Sequence, residues 1–352
     1  MDAMAGLLDG PRARGAFLLR SSMDPPWALQ VRDEAPLTLM AVVRGGGWVL
    51  QQGREPLRLS AGDVAIVLGP DPYVVADDPG TAPQAVIHPG QRCTTPDGLE
   101  LDAMRELGVR SWGNAHDGQT VLLTGTYGLE GEVSGRLLRA LPPVLVLRAG
   151  EWECPLVPIL ADEVVRDEPG QEAVLDRLLD VLLIAVLRAW FARPDAEPPG
   201  WYAASADPVV GPALRLLHHD PARPWTVAEL AGEAGVSRAA LARRFHALVG
   251  EPPMTFLTGW RLALAADLLL EPGATVGSVA HEVGYGSAFA LSTAFKRVRG
   301  VSPSAWRARG AGDPPAAPSP ARGPGGGPPP RATVAGRSAG VPAAPQAAVA
   351  SG

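Results

Sequence analysis

The sequence predicts an α+β chain. It has an N-terminal antiparallel β-barrel with trailing helices, then an all-helical C-terminal domain in which a linker helix joins two helix-turn-helix motifs. Three observations predict this. The first part alternates short apolar runs with turn residues. The pattern turns helical after about residue 134. In the C-terminal third, one set of residues recurs at a fixed offset.

Between about residues 15 and 131, apolar runs lie at 27–31, 37–43, 48–51, 64–68, 73–75 and 121–127. Gly45-Gly46-Gly47, Gly62-Asp63, Gly69-Pro70 and Asp78-Pro79-Gly80 separate them. Short strands at this spacing, with such turns, predict an antiparallel sandwich or barrel. Val174, Leu175, Leu178, Leu179, Leu182, Leu183, Val186, Leu187 and Trp190 then follow a helical period. Pro169-Gly170 opens this helix and Pro194 closes it. Its wide apolar stripe can pack on the barrel or on a second subunit. The resulting domains are 1–193, a Pro/Ala-rich linker at 194–206, a helical domain at 207–309 and a tail at 310–352. The tail is Gly, Pro and Ala with almost no apolar bulk, a composition that predicts disorder.

Composition limits the function classes. Of 352 residues, 46% are hydrophobic, enough for two cored domains. The apolar stretch 174–191 is broken by Asp176, Arg177, Asp180 and Arg188, which excludes a membrane span. The first twenty residues lack an apolar signal core, so a cytoplasmic location is expected. Two cysteines, Cys93 and Cys154, are too few for a secreted disulfide framework. Lys296 is the only lysine, so arginine content follows a GC-rich codon bias and carries little weight. The net charge of −6 is uneven: −11 over residues 1–206, +3 over 207–310 and +2 beyond. An acidic domain joined to a basic one fits a chain whose C-terminal part faces nucleic acid.

Ser237, Leu241, Phe245, Gly250 and Pro253 recur 50 residues later as Ser287, Leu291, Phe295, Gly300 and Pro303, and Phe256 is matched by Trp306. Ala231, Gly235 and Val236 recur 49 residues later as Ala280, Gly284 and Tyr285, with Gly286 absorbing the difference. In the first copy, Thr226 and Glu229 can form a capping box. Small Ala231 allows a second helix to cross closely, Gly235 suits a left-handed turn, and Ser237 caps the next helix. Leu241, Phe245 and Leu248 form the buried stripe, and Gly250 stops the helix. The second copy repeats this with Thr275, Val276, Val279, Ala280, Gly284, Ser287, Leu291, Phe295, Val298 and Gly300. An apolar helix at 254–270 joins them and spans about 25 Å at 1.5 Å per residue. That suits two heads placed in major-groove segments about 34 Å apart.

Over about residues 207–309 the chain resembles the AraC/XylS family of bacterial transcription regulators. The resemblance rests on the repeat and on Val283-Gly284-Tyr285, Ser287, Ala294-Phe295-Lys296-Arg297, Gly300-Val301-Ser302-Pro303 and Trp306-Arg307. It implies sequence-specific binding of double-stranded operator or promoter DNA. The inward stripe then assigns the outward residues. In the first motif Arg238, Ala239, Ala242, Arg243 and His246 face the groove. Arg243 is placed for guanine or phosphate, while Arg238 and Arg244 hold phosphates. In the second, Ala288, Phe289, Ser292, Thr293 and Lys296 face outward, with Phe289 placed for thymine methyls. Ser287, like Ser237, is a cap whose helix end can also meet phosphate. Lys296, Arg297 and Arg299 are expected phosphate ligands. Thr293 and Gly286 depart from the family, which often has Arg and an acidic residue there.

The first domain resembles the cupin-type sensor domain of some family members, through 39–47, Gly62-Asp63-Val64 and Leu138, Leu141, Pro142 and Pro143. The 37–42 strand carries no His-x-His or Glu, so no metal and no cofactor are expected. Two readings of the domain stay open. His88, Cys93 and His116 can form a metal or redox site, with Cys93 activated by Arg92 and paired to Cys154. Alternatively, a small apolar or aromatic effector sits among Trp27, Leu39 and Trp48, which serve equally as plain core. No P-loop, dinucleotide fingerprint or Gly-x-Ser-x-Gly elbow is present, so the chain is not read as an enzyme. A homodimer, RNA polymerase and a small-molecule effector complete the expected partners.

Overall fold

The structure is a computed structural model. It describes residues 17–310, apart from 100, 102–104, 129–131, 153 and 197. The tail expected to be disordered lies outside the described residues.

The N-terminal part holds thirteen described strands: β1 (Phe17–Met23), β2 (Ala28–Val31), β3 (Leu37–Arg44), β4 (Gly46–Gln51), β5 (Leu57–Ser60), β6 (Val64–Leu68), β7 (Tyr73–Ala76), β8 (Ala85–Ile87), β9 (Cys93–Thr94), β10 (Arg105–Gly108), β11 (Ser111–Gly113), β12 (Thr120–Tyr127) and β13 (Val144–Leu147). They form a seven-stranded sheet in the order β10-β11-β1-β12-β3-β6-β13 and a six-stranded sheet in the order β5-β4-β7-β2-β8-β9. Neither sheet closes on itself, so the expected barrel is corrected to two stacked open sheets. Nor are they purely antiparallel: β1 pairs with β11, and β2 with β8, in parallel. Turn residues and alternating runs fix where strands start and stop. They do not fix which edges meet.

Three helices cover the outside of the larger sheet: α1 (Glu132–Leu138), between β12 and β13, and α2 (Leu156–Glu163) and α3 (Gln171–Phe191) after β13. This layering explains β3, six of whose eight residues are buried in one run. Leu37, Leu39 and Ala41 meet the helical layer, including Leu179, Leu183 and Val186. Met40 and Val42 meet the smaller sheet through Trp27, Val49 and Val75. A strand covered on both faces has no need of polar alternation. Tyr127 Oη donates to the Leu179 carbonyl at 2.9 Å and ties α3 to β12. The Gly62-Asp63-Val64 turn is anchored by the buried Asp63 carboxylate, which accepts from Ser60 N and Ala149 N, both at 3.0 Å, and from Arg148 at 2.8 Å.

The Pro/Ala-rich segment 194–206 carries short helical turns. It contains α4 (Gly200–Ala203) and a 3-10 turn at Ala204–Ala206, and Ala204 is fully buried. The C-terminal part then comprises α5 (Val210–His219), α6 (Val227–Glu233), α7 (Arg238–Val249), α8 (Pro253–Leu268), α9 (Val276–Glu282), α10 (Ala288–Arg299) and α11 (Pro303–Gly310). It has two lobes. Leu214, Leu230, Leu241, Phe245 and Phe256 core the first. Leu262, Ala266, Val279, Leu291 and Phe295 core the second. Helix α8 is apolar nearly all round because it serves both lobes and a third contact, where Trp260 and Ala263 pack with Val133. Among the described residues no helix is long and apolar enough to cross a membrane.

Candidate nucleic-acid interface

The two helix pairs, α6–α7 and α9–α10, are built alike from the first cap to the last. The Thr226 hydroxyl accepts from Glu229 N while the Glu229 carboxylate accepts from Thr226 N, completing the capping box. Thr275 and Ser278 make the same box, with a hydroxyl in place of the carboxylate. Each short helix ends in the same pair of backbone hydrogen bonds. Val236 N donates to Ala231 O at 3.0 Å and Gly235 N to Gly232 O at 3.1 Å; Tyr285 N donates to Ala280 O at 2.7 Å and Gly284 N to His281 O at 3.1 Å. This closure needs a left-handed residue at the second-last position, and Gly235 and Gly284 have φ of 67° and 82°. Ser237 and Ser287 then cap α7 and α10, accepting from Ala240 N and Ala290 N at 3.2 Å.

Leu241, Phe245, Leu291 and Phe295 are fully buried. Leu248 and Val298, expected in the same stripes, are exposed. Both sit in the last turn, beyond the aromatic residue that closes each lobe. The stripes turn the opposite faces outward, as the spacing predicts. Arg238, Ala239, Arg243 and His246 are exposed on α7, and Ala242 is half-buried. On α10, Thr293 and Lys296 are exposed, Ala288 and Ser292 are half-buried, and Phe289 stands 81% exposed. An aromatic ring left in water on an otherwise capped and packed helix is unlike core. The Ser292 and Thr293 hydroxyls donate back to the Ala288 and Phe289 carbonyls at 2.7 and 2.9 Å, so both are engaged by their own helix.

Two expected phosphate ligands are otherwise engaged. Arg244 donates to Asp207 through Nε at 3.0 Å and Nη2 at 2.6 Å. Hydrogen bonding to that guanidinium holds the Asp207 carboxyl down to about 2. Arg299 is ion-paired to Glu132 at 2.6 Å, its side chain only 20% exposed, and its guanidinium lies 5.9 Å from the Trp306 ring. Sequence reasoning missed both pairs, because Asp207 lies 37 residues from its partner and Glu132 in another part of the chain.

The two sites expected in the first domain are also redistributed. His88 Nε2 lies 3.0 Å from the Thr94 hydroxyl, and His116 is exposed on a separate loop. No cluster of three metal-ligating side chains occurs among the described residues. Burial pushes the Cys93 thiol up, the reverse of the activation expected beside Arg92. Cys93 and Cys154 are both free thiols. Trp27 and Leu39 fall in different cores, so they do not line one pocket with Trp48. A cavity of about 40 Å³ instead opens between the sheets, among Leu19, Met40, Tyr73, Val75, Trp112 and Leu122. The Trp112 indole N–H finds no partner among the described residues.

Comparison with known proteins agrees with this division. A family model described as Cupin matches residues 2–192, and one described as a helix-turn-helix domain matches residues 230–309. A Streptomyces lividans protein described as an AraC-like transcription regulator is 38% identical over 288 residues, covering 80% of this chain and 90% of its own. A Streptomyces antibioticus protein of the same description is 37% identical, with the same coverage. The HTH-type transcriptional regulator AlkR of Acinetobacter baylyi is 28% identical over 314 residues, covering 87% of this chain and 99% of its own. Since the likeness runs through the sheets as well as the C-terminal helices, the chain belongs to the AraC-like family of DNA-binding transcription regulators.

Proposed function

We propose that this regulator reads DNA with two helix-turn-helix heads, α7 and α10, entering successive major-groove segments on one side of the duplex. The observation that carries the reading is the duplicated design of capped helix, glycine turn and second capped helix, with one face buried and the other bare. Arg243 reads a guanine edge or grips a phosphate, supported by Arg238, Ala239, Ala242 and His246 along α7. Phe289 and Lys296 lead the second head, with Ala288, Ser292 and Thr293 as close apolar and backbone-like contacts. With Arg244 and Arg299 engaged elsewhere, Arg243 and Phe289 carry most of the discrimination. The sixteen residues of α8 hold the heads apart over about 24 Å.

The two-sheet part acts as sensor and dimerisation domain, making the working form a homodimer in the cytoplasm. Its effector is a small apolar molecule with a hydrogen-bond acceptor, taken into the cavity between the sheets. That cavity of about 40 Å³ is several times the roughly 10–15 Å³ one water needs. The unpaired Trp112 N–H beside it offers a donor.

The test is a salt titration of binding to the chain's own upstream region and to random DNA, for wild type and Arg243→Ala. Preference for the upstream region that the variant erodes supports the reading. Equal binding of both DNAs at every salt concentration overturns it.

A further inference from the structure

We infer that helix α1 of the sensor part is a positioning strut for the second reading head, acting through Glu132 on Arg299. The inference rests on the reading of α7 and α10 as DNA-reading helices.

The first backbone N–H groups of a helix have no partner within it. In α1 these groups are taken up by another part of the chain. Glu132 N donates to Asp267 Oδ1 at 2.6 Å and Val133 N to Oδ2 at 3.1 Å, across 135 and 134 residues of sequence. Asp267 lies on α8, the helix that joins the two lobes. Burial raises its pKa, so this carboxylate is withdrawn from water and spent on the cap. The Glu132 side chain meets Arg299, the last residue of α10, at 2.6 Å, with the two side chains 18% and 20% exposed. Val133, Trp260 and Ala263 form a small buried core between these two contacts. One turn further, the Arg136 guanidinium lies 6.0 Å from the Trp260 ring. Gly259 leaves room for it: a Cβ there would stand 2.6 Å from that guanidinium.

One short helix of the sensor part thus caps, packs and ion-pairs with α8 and α10. Docking of this kind could hide the reading surface or place it. Arg238, Arg243, Phe289, Thr293 and Lys296 all remain exposed with α1 docked, so occlusion is not its effect. Arg299 lies at the C-terminal end of α10, opposite the end that carries Ala288 and Phe289. A grip there fixes the angle of the helix without covering its reading face. Among the described residues α1 makes its ion pair with α10, while toward the first head Arg136 only feels the charge of Glu251, just past the end of α7. The Glu132–Arg299 pair therefore acts on the second head, and any signal that shifts it changes use of the second groove segment.

The experiment uses the full chain and two DNA fragments: an operator carrying both segments, and the same fragment with the second segment scrambled. Glu132→Arg and Arg299→Glu are each expected to weaken the two-segment fragment about 5–10-fold, the low end of usual coupling between sites. Neither changes binding to the scrambled fragment. The double variant, which restores the pair with charges reversed, recovers wild-type affinity to within about twofold. If Glu132→Arg does not fold, Glu132→Gln carries the same expectation. Loss with Arg299→Glu but none at Glu132 overturns the inference, because Arg299 then touches DNA directly. Single variants without effect, or a double variant no better than the singles, overturn it as well. Wild type binding both fragments equally overturns the two-headed reading itself, which separates that failure from this one.

Discussion

The Arg244 guanidinium lies against the Asp207 carboxylate, its Nε 3.0 Å from both oxygens, while its neighbour Arg243 stands exposed on the outer face of α7. Two adjacent arginines on one helix thus have different work. Arg243→Ala is expected to lower affinity for the operator by about 10–100-fold, the range for one specific base contact, and to leave the melting temperature unchanged. Arg244→Gln should do the reverse: a lower melting temperature, with operator preference retained. Fluorescence anisotropy and thermal denaturation on both variants check this.

The same pair gives a pH signature. The Asp207 carboxyl is lowered from 3.8 to about 2 by its bond to Arg244. An acid with a depressed folded-state pKa contributes stability that is fully present above its unfolded value and is lost as pH falls through the folded one. The difference in melting temperature between wild type and Arg244→Gln should be flat from neutral pH down to about 5. It should then shrink between about 4 and 2. A gap that persists at pH 2 refutes the role assigned to the pair.

Phe289→Ala is expected to leave stability within about 0.5 kcal/mol of wild type, since a side chain this exposed leaves no cavity when truncated. Operator affinity should fall by about tenfold, and most where the second segment contains thymines. Substituting uracil for thymine in that segment removes only the methyl groups. It should reproduce the loss in wild type and add nothing in the variant.

Phe245→Ala and Phe295→Ala should each cost about 3–5 kcal/mol, because each ring closes the core of one lobe. Chemical denaturation in single-tryptophan variants separates the lobes, one retaining Trp225 in the first and one retaining Trp306 in the second. Each substitution is expected to lower the midpoint of its own lobe first.

The two turn glycines are not equivalent. An added Cβ at Gly235 meets nothing, so Gly235→Ala carries only the cost of a left-handed alanine, about 1 kcal/mol. At Gly284 the same atom would stand 2.4 Å from the Ala222 carbonyl oxygen, so backbone must move as well. Gly284→Ala is therefore expected to destabilise by about 2–3 kcal/mol. Equal melting temperatures for the two variants would refute this.

Legibility of the sequence varied with the range of the interaction concerned. The repeat Ser237, Leu241, Phe245, Gly250 and its copy fifty residues on is local chemistry, and caps and turns emerge where the spacing puts them, as do the stripes except for Leu248 and Val298 in the last turns. Long helices were legible for the same reason: α3 and α8 fall within a few residues of their predicted bounds. The sheets were legible as strands only. Leu37, Leu39 and Met40 read alike as apolar, yet the first two meet α3 and the last meets the second sheet. Trp27, Leu39 and Trp48 were grouped on apolar character, which says nothing about which side of a sheet each residue occupies. Arg244 and Arg299 looked like free cations because a guanidinium in sequence carries no sign of its partner.

By itself, then, the sequence determined the two-part plan, the duplicated helix pairs and the outward faces of α7 and α10. These follow from hydrogen bonds and side-chain periods that span at most a few turns of chain. The tertiary structure decided that the sheets stay open, that half-buried Cys93 has its thiol pushed up rather than activated, and that Glu132 and Asp207 hold Arg299 and Arg244. The physical reason is the same in each case. Burial and charge pairing depend on which distant segments meet, and that is settled by the packing of the whole chain rather than by any stretch of it.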